Sequence, residues 1–218
     1  MNIFLAAAIL AVAGDLPVSV HYGPTRAKWY GSDVKELGYD EVFFLEGRHV
    51  RISQPISLSD RIRVRLETGW IVRGFRSRPG NPVQQGPRHF HMGEDYGYRM
   101  EYWELMSLGE FAQSLPGRGE AYGLAGPTAG FQQTCDHFPK DRGRSTGNCG
   151  NFKLFDPGIT LGVGIRYLVP YYDFTLSSEV LWSRGFRSMP FVEHAVDNDI
   201  HNGVLILQVG FSKKPHGS

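Results

Sequence analysis

The sequence predicts an all-β protein, folded as an eight-stranded antiparallel up-and-down transmembrane β-barrel. Three observations lead to this prediction. One long segment alternates between apolar and charged residues, short turns alternate with long polar connections, and the 218 residues include 27 Gly and 13 Pro. That glycine and proline content fits turns and strands better than a helical bundle. An aromatic share of 13% excludes a disordered chain.

The formal net charge of +1 is close to neutral. A near-balanced chain has no overall field that would hold a polyanion, so we expect no nucleic-acid partner. The length fits a single domain.

The amino terminus carries an unbroken apolar run over residues 3–13. The run is shorter than the roughly 20 residues that a membrane-spanning helix needs. It ends in Ala11-Val12-Ala13, an A-x-A cleavage pattern, although no Lys or Arg precedes it. We therefore predict a signal peptide over 1–13 and a barrel domain over 14–218. The alternative is that the run is an ordinary buried element.

The segment 61–75 shows the clearest strand pattern. Side chains alternate between the two faces of a strand, so this segment has one apolar face and one strongly charged face. The charged face must point either to water or into a polar lumen. The apolar face consists of Ile62, Val64, Leu66, Thr68, Trp70 and Val72, and the other face of Arg61, Arg63, Arg65, Glu67, Gly69, Ile71 and Arg73.

Alternating segments and turn residues together predict eight strands. Short turns join them in pairs, and longer polar connections lie between the pairs. Transmembrane barrels have this asymmetry, with short periplasmic turns and long extracellular loops. The predicted strands are 16–22, 41–54, 61–75, 96–113, 120–132, 156–168, 174–186 and 201–212, and the long connections are 23–41, 76–95, 133–155 and 187–200.

Aromatic residues near the predicted strand ends fit the girdles of a transmembrane barrel, although a soluble core would explain any single one. They are Trp29, Tyr30, Trp70, Tyr102, Trp103, Tyr167, Tyr171, Tyr172, Trp182 and Phe211.

The interior of an eight-stranded barrel is just wide enough for side chains to fill it, so we expect a plugged lumen. Gly158, Gly162 and Gly164 share one face and leave space for bulky lumenal neighbours. Charges inside must be paired, because an uncompensated one costs several kcal/mol. The predicted lumen charge cluster is Arg63, Arg65, Glu67, Arg73, Glu104 and Glu179.

Several short motifs resemble the PorT-like outer-membrane β-barrel domain family. They are Gln54-Pro55-Ile56-Ser57-Leu58-Ser59-Asp60, Leu66-Glu67-Thr68-Gly69-Trp70 with Arg73-Gly74, Tyr102 to Leu108, Ala125-Gly126-Pro127-Thr128-Ala129-Gly130, and Asp156 to Gly164. Met106 departs from the pattern, which has proline there. The resemblance spans about residues 17–212. It implies an eight-stranded barrel in the outer membrane and no single biochemical activity.

Cys135 and Cys149 flank a polar, glycine-rich stretch. In an exported chain this pattern favours a disulfide that closes a surface loop. A loop of about 15 residues would gain roughly 3 kcal/mol from it. A metal site with His137 is the weaker alternative, because no C-x-x-C or His pair completes a tetrahedral set.

Three further groups are candidate sites. His89 and His91 with Glu94 and Asp95 could hold a transition metal, but a polar external loop is favoured. His137 with Asp136 and Ser145 lacks any triad signature, so we expect no enzyme and no cofactor. A basic patch on the cysteine loop either contacts lipopolysaccharide phosphates or is merely solvated. It consists of Lys140, Arg142 and Arg144.

These observations predict an integral protein of the outer membrane, embedded in lipid. Its expected role is envelope structure, or contact through external loops with lipopolysaccharide or a surface protein. One alternative is a soluble lipocalin-like barrel that binds a small apolar ligand, with its apolar faces turned inward. Another, from the family's namesake, is an accessory component of a protein-secretion machine.

Overall fold

The computed structural model describes residues 18–30, 41–78, 96–138, 155–170, 174–186 and 201–213. Almost all of them lie in antiparallel strands. In chain order these are β1 (Ser19–Tyr30), β2 (Glu41–Phe43), β3 (Leu45–Ser57), β4 (Ile62–Arg78), β5 (Tyr96–Ser114), β6 (Gly119–Phe138), β7 (Phe155–Leu168), β8 (Phe174–Gly185) and β9 (His201–Lys213). Within these ranges no helix is long and apolar enough to cross a membrane.

The strands form one closed sheet. The order β4-β3-β1-β9-β8-β7-β6-β5 returns to its start because β4 also pairs with β5. The short strand β2 pairs with the end of β4 that extends beyond its pairing with β3. Only Phe44 separates β2 from β3 in the chain. The two therefore act as one interrupted strand of the wall, and the predicted eight-stranded antiparallel barrel is confirmed.

Several strands extend beyond their predicted bounds on the side of the long connections. β1 reaches Tyr30, β4 reaches Arg78 and β6 reaches Phe138. These extensions carry Arg, Lys, Gly and Pro, which reads as loop in the sequence. In the barrel, paired neighbours hold them in the ladder, as in the match of Tyr98 with His137. The alternation of short and long intervals between strands is unchanged.

The barrel is polar inside and apolar outside. Outward-facing side chains such as Val163, Ile165 and Leu207 are strongly exposed, whereas Arg65, Glu104 and Glu179 are buried in the interior. This is the distribution of a transmembrane barrel, so the barrel lies in the outer membrane. The lipocalin-like alternative needs the apolar faces to turn inward, and it is wrong.

Inward-facing glycines make room for large lumenal side chains. A Cβ on Gly164 would lie 2.6 Å from the Tyr122 ring, and one on Gly162 would lie 2.2 Å from Leu181. The expected role of these glycines, to leave space for bulky neighbours, agrees with this geometry.

Three residues predicted to face outward are buried. Val72 belongs to the predicted apolar outer face, yet it is 1% exposed. In this region the register of β4 differs between its pairing with β3 and its pairing with β2, and Gly74 has a φ of 136°. The alternation is interrupted here, and the four successive residues 71–74 are buried. Trp29 and Tyr102 were expected in the aromatic girdle, but they lie in the interior core.

Candidate functional site: a charged lumen

The lumen carries its first ion-pair cluster near the short turns, which we call the turn end. Arg63 donates to both oxygens of Glu120 at 2.8 and 2.9 Å and to Glu110 at 2.8 Å. Arg166 pairs with the same two glutamates and lies over the Tyr122 ring, 4.2 Å from its centroid. Two cations and two anions thus neutralise one another across β4, β5, β6 and β7.

A second cluster crosses the middle of the lumen. Arg65 on β4 donates to both carboxylate oxygens of Glu179 on β8, at 2.7 and 2.8 Å. Around the barrel, three strands lie between β4 and β8 in either direction, so this bond spans the full width of the lumen. Tyr122 and Gln208 each donate to Glu179 at 2.6 Å. Arg65 also pairs with Glu67 on its own strand.

Two histidines adjoin this middle cluster, and His21 lies 3.9 Å from Glu179. His21 lies 2.8 Å from the Ser53 hydroxyl, and His49 lies 2.8 Å from the Gln208 side-chain oxygen. Both rings are almost fully buried. They extend the hydrogen-bonded network to β1 and β3 and fix the orientation of Gln208 toward Glu179.

A third cluster lies nearer the long connections, at the end that we call the loop end. Arg51 donates to Glu104 at 2.7 Å, and Arg73 pairs with the other oxygen of the same carboxylate. Arg73 also donates to Asp156 at 2.9 Å and lies over the Tyr102 ring. Cation and anion charges balance here as well.

Apolar side chains pack between and above these clusters. Met106, Leu108, Leu124, Leu181 and Ile206 are nearly inaccessible to solvent. Toward the loop end, Trp29 stacks on Tyr98 with ring centroids 6.1 Å apart. The ion pairs of the middle and loop-end clusters are thereby shielded from water, which strengthens them and raises the cost of leaving any of them unpaired. At the turn end, the side chains of Arg63, Glu120 and Arg166 stay 19–21% exposed.

All six charges predicted for the lumen cluster face the interior and fall into three clusters along the barrel. A 3.8 Å contact between Arg65 and Glu110 links the middle cluster to the turn-end cluster. Arg63 lies at the turn end, Arg65, Glu67 and Glu179 in the middle, and Arg73 and Glu104 toward the loop end. Sequence reasoning missed nearly half of the ionic partners, although inward parity on each strand could have indicated them. The missed charged residues are Arg51, Glu110, Glu120, Asp156 and Arg166.

Several other predicted features fall outside the described residues. Cys135 lies on β6, in a range predicted as a connection, but Cys149 lies outside, so the disulfide stays a prediction. Asp136 and His137 also lie on β6, and Ser145 lies outside the described residues. The described part of the chain holds no group of three or more potential metal-ligating side chains. Also outside are the signal peptide over 1–13, His89, His91, Glu94, Asp95, Lys140, Arg142 and Arg144.

The three ion-pair clusters are arranged to hold the strands of the barrel together. Each carboxylate of the three clusters lies within ion-pair distance of an arginine, and all of these pairs except Arg65–Glu67 connect different strands. Paired, buried charges of this kind fix the relative positions of the strands.

No protein-family model matches the chain, and no curated protein matches it. Among solved structures, it is similar to Neisserial surface protein A at 12% identity, with a TM-score of 0.48 and coverage of 90% of this chain and 96% of that one. OprG from Pseudomonas aeruginosa shares 10% identity, with a TM-score of 0.43 and coverage of 91% and 96%. Ail of Yersinia pestis, in complex with the heparin analogue sucrose octasulfate, shares 12% identity, with a TM-score of 0.41 and coverage of 90% and 98%.

Proposed function

We propose that the protein is a non-conducting outer-membrane barrel with a plugged lumen. Its role is to support the envelope and to hold its long external connections at the cell surface. The observation that carries this proposal is the bond between Arg65 and Glu179, which joins opposite walls of the barrel in the middle of the lumen. Clusters on both sides of this bond and the apolar packing around them leave no continuous aqueous path in the proposed state.

Conductance across a planar lipid bilayer tests the plug. We expect the refolded barrel to produce no stepwise current under an applied voltage. The double variant Arg65→Ala/Glu179→Ala removes the central bond and leaves space for water, so it should leak. Arg26→Ala is the matched control, because Arg26 lies on the outer face, where its side chain is 61% exposed. Stable open-channel steps in the unmodified protein would overturn the proposal.

We propose that the protein contacts partners at the cell surface through the loop end of the barrel, where the long connections begin and end. Four intervals of the chain, 31–40, 79–95, 139–154 and 187–200, open at this end, and the basic residues Lys140, Arg142 and Arg144 lie in one of them. Lipopolysaccharide phosphates or a surface protein are the partners that such connections would meet. Participation in protein secretion follows only from the PorT-like resemblance. Unchanged export of secreted cargo after deletion of the gene would reject it.

A further inference from the structure

The outer wall carries a group of cations on one side of the barrel, toward the loop end. We call this group the cationic belt, and it consists of Arg26 and Lys28 on β1, Arg48 on β3 and Arg184 on β8. All four follow the outward parity of their strands, on which the neighbouring Tyr22, Phe44 and Trp182 are exposed. The strands β3, β1, β9 and β8 are consecutive in the wall.

Strand register places the four cations in one patch of the wall, with Arg48 level with Pro24 at one corner and Arg184 level with Lys28 at the other. Arg26 pairs with Glu46, so Arg48 lies diagonally across from it, about 7–8 Å away. Lys28 follows two positions along the same face of β1, and its register partner is Gly203. Gly203 in turn pairs with Arg184 on the far side of β9. A Cβ on Gly203 would lie 2.2 Å from the Tyr30 ring, so that ring lies on the wall between Lys28 and Arg184.

The belt is not neutralised in the way the lumen is. Its one ionic contact joins Arg26 to Glu46 at 3.5 Å, between side chains that are 61% and 78% exposed. Among the described residues, Lys28, Arg48 and Arg184 have no carboxylate within ion-pair distance. Lys28 instead lies 5.7 Å from the centroid of the Phe44 ring. A surplus of positive charge therefore faces outward at this level.

The level of the belt identifies its surroundings. Outward cations are costly at the bilayer midplane and cost little near the interface, so four of them on adjacent strands indicate the headgroup region. Exposed apolar side chains continue from the belt toward the turn end, among them Tyr22, Leu207 and Val209. A molecule that satisfies both surfaces needs an anionic head and apolar chains.

We propose that the cationic belt binds the phosphorylated headgroup of an outer-leaflet lipid, whose acyl chains lie on the apolar wall below. This proposal rests on the proposed membrane-embedded function. Arg26, Arg48 and Arg184 present planar guanidinium groups that can bind phosphate oxygens bidentately, and Lys28 adds a point charge beside them. The belt is separate from the basic patch of the external connection, since its residues belong to the strands themselves.

Native mass spectrometry of the purified barrel, mixed with lipids of defined headgroup, tests the proposal. The probes are bisphosphorylated lipid A and the same lipid after removal of its phosphates. The unmodified protein should retain the phosphorylated form at least about tenfold better, since each basic side chain near an anionic surface contributes several-fold. The variant Arg26→Gln/Lys28→Gln/Arg48→Gln/Arg184→Gln should lose that preference.

The matched control is Arg99→Gln. Arg99 is 41% exposed on β5, in the other wall, and pairs with Glu101 at 3.4 Å. This variant should keep the full lipid preference. Equal retention of both lipids, an unchanged preference in the quadruple variant, or displacement of the lipid by an equal concentration of inorganic phosphate would each overturn the proposal. Heat-modifiable migration on a gel reports closure of each barrel separately, so loss of the membrane fold is distinguished from loss of the lipid site.

Discussion

Two arginines, Arg65 in the lumen and Arg26 on the outer wall, show how differently this barrel uses one residue type. Arg65 is 4% exposed and forms ion pairs with Glu67 and Glu179. Arg26 has one loose contact with Glu46, and both side chains are well exposed. Because the Arg65 ion pairs are buried, losing one partner destabilises the fold. The Arg26–Glu46 pair is exposed to solvent and headgroups, so it is weak and Arg26 can bind another anion instead.

The largest effect should follow from removal of the central lumen cation. Arg65→Ala leaves Glu67 and Glu179 buried without their arginine, and such a loss typically costs about 3–5 kcal/mol. We expect the free energy of unfolding in urea, measured on the barrel refolded in detergent micelles, to fall by about this amount. Arg26→Ala should change it by less than about 1 kcal/mol. Equal losses in the two variants would show that burial does not separate the two arginines.

The strand pattern could be predicted from the sequence because each strand alternates where one face meets lipid. β9 is the clearest case, with Leu205, Leu207 and Phe211 exposed and Ile206 and Gln208 buried. The pattern failed at the loop end of β1, where Arg26 and Lys28 face outward. There the outer face meets headgroups rather than acyl chains, so its residues read as a loop although they form a strand.

The ion-pair partners were harder to predict, since alternation gives the face of a residue and not its neighbour across the lumen. Glu110 shares its inward face with Met106 and Leu108, so no charged stripe marks it in the sequence. The bond between Arg65 and Glu179 depends on closure of the barrel, which places β4 opposite β8. Only the order of the strands around the wall supplies that information.

On the outer wall, adding a charge should destabilise the barrel, whereas in the lumen removing a charge does so. Val163 lies in the central part of β7 and is 63% exposed to the lipid region. Val163→Arg places a cation near the bilayer midplane and should cost about 2–4 kcal/mol in the same unfolding measurement made in lipid vesicles. Leu115→Arg is the control, because Leu115 lies in a short turn and is 42% exposed. A turn variant as unstable as the wall variant would argue against lipid contact at Val163.

A smaller difference in stability should follow from adding one methyl group to a glycine of the lumen or to a glycine of the outer wall. Gly164 faces the lumen, where a Cβ would meet the Tyr122 ring at 2.6 Å, whereas a Cβ on Gly123 of the outer wall would have no neighbour within 4 Å. Gly164→Ala must displace a ring that lies under Arg166 and donates to Glu179, so it should cost about 1–3 kcal/mol through overpacking. Gly123→Ala should be neutral or slightly stabilising, because the added methyl group only restricts the unfolded chain. Urea titration in micelles compares the free energies of unfolding of the two variants. The comparison is matched because both glycines belong to paired strands and differ only in the side to which a Cβ would point. A destabilised Gly123→Ala barrel would mean that the outer wall is packed as tightly as the lumen.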